Sequence, residues 1–87
     1  MNIVFLNGIQ FKTKDYAHEY IRSQFGFPEY YGKNLDALWD MLQEISKPTT
    51  ITMINSQKVV GYLGDYGEAL IELFEEAQSD IIKFVRD

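Results

Sequence analysis

Asp36, Asp40 and Glu44 recur at four-residue intervals. On a helix that spacing stacks three carboxylates on one face, opposite a stripe of Leu35, Leu38, Leu42 and Ile45. Trp39 falls at the boundary between the two. A second acidic face follows from Glu68, Glu72, Glu75 and Glu76, set against Leu70, Leu73, Phe74 and Ala77. Paired carboxylates can perform general acid/base chemistry, as in glycoside hydrolysis, or hold a hard cation such as Mg²⁺. Acid/base work needs two carboxyl groups in unlike environments, and one exposed helix face gives them like ones. The chain has one histidine, His18, and no cysteine, which leaves little room for a zinc site or a Ser/His/Asp triad. His18 is expected at the surface, on the polar side of the first helix. No catalytic residue, metal or cofactor is expected, and an enzyme is the minor reading.

The charge balance points instead to binding. Eight Lys and Arg face thirteen Asp and Glu, for a net −5 over 87 residues. That argues against non-specific nucleic-acid binding, which draws its affinity from cations on phosphates, and against an anionic membrane surface. The charge is concentrated: residues 29–44 carry −3, residues 59–82 carry −6, and the remainder carries +4. Solvated helix faces are often charged. Like charges at i, i+4 nevertheless cost a helix about 0.2–0.5 kcal/mol per pair. The helix dipole favours Asp36 and Glu68 near N-termini, but not Asp40, Glu44, Glu75 or Glu76. Nor does the fourth helix carry a basic residue on its acidic face. A local cost without a local gain points to a basic partner protein. Tyr30, Tyr31 and Trp39 lie within ten residues of Asp36 and Asp40, and Tyr and Trp beside charged anchors is the composition of an interface hot spot. Tyr31 is expected mainly to pack, Gly32 to supply a tight backbone conformation, and Asn34 to cap the helix that follows.

These side chains need elements to position them. The length is that of one domain, residues 1–87. Ile3 to Leu6 reads as a buried strand. The Asn7-Gly8 pair after it leaves a hairpin with Ile9-Gln10-Phe11 open. Thr13 caps a first helix to about Gln24, with an apolar face of Tyr16, Ala17, Tyr20, Ile21 and Phe25 and a stop at Gly26 and Pro28. An aromatic loop leads to Asn34 and a second helix from Leu35 to about Ile45. Thr49 to Ile54 is the second strand. Asn55 or Ser56 caps a short helix to about Leu63. Asp65 and Glu68 have capping-box spacing for a fourth helix to about Gln78, and Ile81 to Val85 is the third strand. The order β-α-α-β-α-α-β implies crossovers, hence an α/β fold with a small three-stranded parallel sheet covered by about four helices. The apolar start is too short for a membrane span and lacks the basic flank of a signal peptide, so a soluble cytoplasmic protein is expected.

The segment Pro28-Glu29-Tyr30-Tyr31-Gly32-Lys33-Asn34-Leu35-Asp36-Ala37-Leu38-Trp39-Asp40, together with Phe74, Glu76 and Ala77, resembles the signature of the barstar family of intracellular bacterial inhibitors of barnase-type ribonucleases. The resemblance runs through nearly the whole chain. It implies the parallel sheet and argues against the hairpin. It also implies that the loop and second helix plug the active site of a basic microbial ribonuclease. Asp40 would then enter the pocket that holds a substrate phosphate and meet arginines there, a carboxylate imitating phosphate oxygens. Tyr30 would pack on the enzyme's catalytic histidine. Gly32, Asn34, Asp36 and Trp39 would be further contacts, and Glu76 an acidic contact from the fourth helix. The protein would be a monomer forming a 1:1 complex. Lys33 stands where the best-known member is acidic, and Ile45 where that member has tryptophan. These departures keep open an immunity or binding protein for a different basic toxin or a non-nuclease partner.

Overall fold

A computed structural model describes residues 2–87. Strand β1 (Asn2–Asn7) runs into a 3-10 turn at Gly8–Gln10. Helices α1 (Lys14–Phe25) and α2 (Leu35–Gln43) precede strand β2 (Thr49–Ile54). Helices α3 (Ser56–Leu63) and α4 (Asp65–Glu76) precede strand β3 (Ile82–Arg86). All pairings are parallel, in the order β1-β2-β3, with Val4, Ile51 and Phe84 in one row and Phe5, Thr52 and Val85 in the next. The α/β order is the one read from the sequence.

The strands alternate, and only one face of the sheet is buried. Val4, Leu6, Ile51, Met53, Ile82 and Phe84 join the core, whereas Ile3, Phe5 and Val85 stay exposed. The expected covering by helices therefore holds for one side. The reason is visible in β2 and β3, where Thr50, Thr52 and Lys83 interrupt the continuous apolar run that a doubly covered strand needs. The Asn7-Gly8 hairpin does not form. The Asn7 side chain accepts from the Ile9 N–H at 3.1 Å and caps the 3-10 turn. Gly8 lies so close to the α3 end of β2 that a Cβ there would sit 2.0 Å from the Asn55 carbonyl oxygen.

Local signals set most helix ends. Thr13 Oγ1 accepts from the Tyr16 N–H, and Gly26, in the left-handed conformation at φ 73°, closes α1. The start of α3 is capped from a distance. Asn55 is left-handed (φ 54°) and its side chain does not cap. The Asp87 carboxylate accepts from the Asn55 N–H (2.7 Å), the Ser56 N–H (3.0 Å) and the Ser56 hydroxyl (2.7 Å). The Ser56 bonds hold the Asp87 carboxyl below its ordinary range. The capping box expected at Asp65 and Glu68 is absent. Gly64, at φ 60°, both ends α3 and precedes α4, so the cap position has no side chain, and both acids lie in the first turn, where the dipole favours them. Gly67 permits the close α3–α4 crossing, because a Cβ would meet the Val59 carbonyl oxygen at 2.4 Å. Among the described residues no helix is long and apolar enough to cross a membrane.

Candidate functional site

The candidate surface is built on the loop between α1 and α2, on α2, and on the facing side of α4. The loop is anchored by aromatic packing that reaches back to the sheet. Phe84 stacks on Phe74 (5.4 Å between centroids), Phe74 on Phe25 (6.3 Å), and Phe25 on Phe27 (4.9 Å), while Phe27 touches Tyr31 at a tilt (5.3 Å). The Gly26 and Phe27 N–H groups both return to the Arg22 carbonyl, and the Tyr31 N–H closes a turn onto the Pro28 carbonyl at 3.0 Å. Tyr31 is buried by this packing, as expected, and Tyr30 next to it is 86 % exposed. An exposed tyrosine beside a buried one means that the loop is fixed while its neighbouring ring is presented to solvent.

His18 is the clearest departure from expectation. It is buried, with Nδ1 2.7 Å from the Tyr31 hydroxyl and Nε2 2.7 Å from the Tyr66 hydroxyl. Tyr16, expected on the apolar face, is exposed instead. His18 precedes Ile21 by three residues and Phe25 by seven, which is the spacing of the buried stripe; its polarity, not its position, made it look external. Burial pushes its pKa down from 6.5, with a smaller push from Lys33, while Asp15 opposes the shift. Burial, and then the neighbouring Tyr66, pushes the Tyr31 hydroxyl up.

The left-handed residue of the loop is Lys33 (φ 53°), not Gly32. Gly32 answers to space instead: a Cβ there would approach the Ala37 Cβ at 3.0 Å. Lys33 Nζ lies 3.4 Å from Glu19, which also pairs with Arg22. Both cations hold the Glu19 carboxyl down, Arg22 chiefly by hydrogen bonding. Asn34 Oδ1 accepts from the Ala37 N–H at 2.7 Å and caps α2, while its Nδ2 donates to the Gly32 carbonyl at 3.3 Å. One residue thus sets both the helix start and the loop that precedes it.

On α2, Leu38 and Leu42 are fully buried, which turns Asp36 and Asp40 to solvent. Trp39 is half-buried between α2 and α4. With Leu35, Asp36, Ala69, Glu72, Leu73 and Glu76 it lines a cleft of ≈ 330 Å³. Three of the expected site residues, Asp36, Trp39 and Glu76, are therefore brought together. Tyr30, Gly32 and Asp40 are exposed on the adjoining loop and helix, outside that cleft. Glu72, read from the sequence as part of the acidic face but not as a contact, lines the same cleft one turn before Glu76. The acidic face of α4 also has a cation that the helix itself does not carry: Arg86 on β3 lies 3.4 Å from Glu75. Glu72 and Glu76 form no ion pair among the described residues, and no group there is placed to hold a metal ion. The arrangement offers exposed carboxylates beside aromatic rings, with an apolar-floored cleft between two acidic helices.

Sheet order, helix order and the loop leading into α2 define the α/β class to which barstar belongs. The family model described as Barstar (barnase inhibitor) matches residues 1–85, and the chain belongs to the barstar family. A Bacillus subtilis (strain 168) protein named "Putative ribonuclease inhibitor YrdF" is 33 % identical over 82 residues, covering 93 % of this chain and 90 % of the relative.

Proposed function

We propose that this protein inhibits a barnase-like extracellular ribonuclease by covering its active site with the loop and α2, working in the cytoplasm as a monomer in a 1:1 complex. Family membership and the name of the relative support a ribonuclease-inhibitor role rather than an enzymatic one. The observation that carries the mechanism is the exposure of Tyr30 and Asp40 on a loop and helix whose buried sides are locked. A preorganised surface loses little entropy on binding. Asp40 offers two oxygens to an arginine pocket made for phosphate, and Tyr30 offers a flat ring with few rotatable bonds. Asp36, Trp39 and Glu76 supply a second anchoring point at the α2–α4 cleft, and Gly32 and Asn34 shape the loop between the two. The acidic field of residues 29–44 and 59–82 steers a basic enzyme toward this side.

The experiment is an inhibition titration of a barnase-type ribonuclease with the parent and with Tyr30→Ala and Asp40→Ala. Each variant is expected to lose about 2 kcal/mol or more, the usual hot-spot threshold, for which the barstar–barnase pair is itself a standard example. Unchanged inhibition by both would remove the proposed site. Lys33 favours a second reading. A cation tied to Glu19 at the edge of the surface alters the charge presented there, as suits a different basic toxin or a non-nuclease partner. Recovery of such a partner, with no ribonuclease inhibited, would decide for it.

A further inference from the structure

His18 is the single histidine of the chain, and the acidic surface makes no direct use of it. A neutral imidazole has one N–H and one lone pair. Of the two hydroxyls 2.7 Å from its nitrogens, one must donate and the other must accept. Burial decides which. Tyr31 is 4 % exposed, and its hydroxyl bonds only His18 among the described residues, so its proton has nowhere to go except Nδ1. The Nε2–H then donates to Tyr66. That residue is only half-buried, so its own hydroxyl proton can face water.

We infer that Tyr66 and His18 are positioning residues of the inhibitory surface: the chain Tyr66–His18–Tyr31, with His18 as the Nε2–H tautomer, ties the aromatic loop to α1 and α4 and sets the pose in which Tyr30 is presented. The consequence for binding rests on the function proposed above; the tautomer and the bond directions do not. Three elements meet at the ring: His18 from α1, Tyr31 from the loop and Tyr66 from α4. The charged groups around it are Asp15 and Lys14 on α1 and Lys33 on the loop, with the Lys14 ammonium 4.6 Å from the centre of the Tyr66 ring. Protonation of His18 would make Nδ1 a donor and leave the buried Tyr31 proton without an acceptor. The chain of bonds therefore holds only while His18 is neutral.

The test uses the sole histidine as its own probe. Nitrogen NMR of the free protein is expected to show Nε2 protonated and Nδ1 bare. Titrating His18 in Tyr31→Phe and Tyr66→Phe is expected to move its pKa in opposite directions. Removing the Tyr31 donor takes away a bond that favours the neutral ring, so the pKa rises. Removing the Tyr66 acceptor takes away a bond that favours the charged ring, so it falls. Both substitutions keep the ring, and the same spectra report the fold. Calorimetry with a barnase-type ribonuclease then reads the consequence: Tyr66→Phe is expected to weaken binding roughly threefold or more, the loss of part of one hydrogen bond's worth of positioning. A protonated Nδ1, or shifts of one sign in both variants, overturns the assignment. Unchanged binding by Tyr66→Phe, where Asp40→Ala binds weakly, overturns the positioning role. If Asp40→Ala binds as the parent does, the proposed function fails instead, and the NMR titration still decides the bond directions.

Discussion

Tyr31→Phe removes one oxygen and leaves the ring in place against Phe27 and His18. What is lost is the 2.7 Å bond to His18 Nδ1, and the nitrogen left behind is buried in a residue 1 % exposed. A typical net hydrogen bond contributes about 0.5–1.5 kcal/mol, and an orphaned buried partner raises the loss to about 1–3 kcal/mol. A loss of about 2 kcal/mol is a large fraction of the about 5–15 kcal/mol that holds a domain folded, and it lowers Tm by about 8–16 °C at this chain length. Urea unfolding at pH 7.5 should show it. The same unfolding at pH 5 adds a second check. His18 has a folded pKa below 6.5, so between the two values the unfolded chain binds more protons. The contribution of neutral His18 is complete above 6.5 and declines as pH falls toward the folded pKa. Losing the Tyr31 donor brings the folded pKa of the variant closer to 6.5, so the variant loses less on acidification. The gap between parent and variant should therefore narrow from pH 7.5 to pH 5, by about 1.36 kcal/mol for each unit of the separation between their folded pKa values that falls within that range. Carboxylate titrations common to both proteins cancel in the difference. A gap under about 0.5 kcal/mol, the low end for a single bond, or a gap equal at both pH values, would mean that the Tyr31 hydroxyl does not donate to a neutral His18.

Asn34→Ala should cost about 1 kcal/mol by urea unfolding and should also weaken inhibition, because the cap and the loop tie are the same side chain; Asn34→Asp should restore the stability. Gly67→Ala should destabilise by about 1–3 kcal/mol in thermal unfolding despite the better helix propensity of alanine, since the new methyl meets the Val59 backbone. Asp87→Ala should lower Tm by uncapping α3, with faster hydrogen exchange at the Asn55 and Ser56 amides as the local signature. Association with the ribonuclease should slow as salt rises, and slow further when Glu72 and Glu76 are both made Gln.

The elements were legible where the signal is local. Thr13, Gly26 and Asn34 each act within five residues along the chain, and their roles in the structure are those that their types announce. Signals that must be answered from far away were not legible. His18 looked external because its partners stand 13 and 48 residues off, and a polar ring in an apolar stripe reads as a break until those partners are known. Glu75 looked unpaired because Arg86 belongs to another element, and Asn55 looked like a cap because Asp87, which does the capping, is 32 residues later. The candidate surface follows the same division. Asp36, Asp40 and Trp39 were placed by helical spacing alone. The cleft that joins Asp36 and Trp39 to Glu76, and brings in Glu72, depends on how α2 packs on α4.

In the proposed function the exposed Asp40 carboxylate stands in for phosphate in the active site of a ribonuclease. The most direct test of this role is the inhibition constant of Asp40→Ala against a barnase-type ribonuclease, measured beside the parent and beside Glu44→Ala, an exposed acid of the same helix face that adds to the steering field but is not among the proposed contacts. The expected result is a loss of roughly thirtyfold or more for Asp40→Ala, the equivalent of about 2 kcal/mol, with Glu44→Ala close to the parent. Equal inhibition by all three would contradict it.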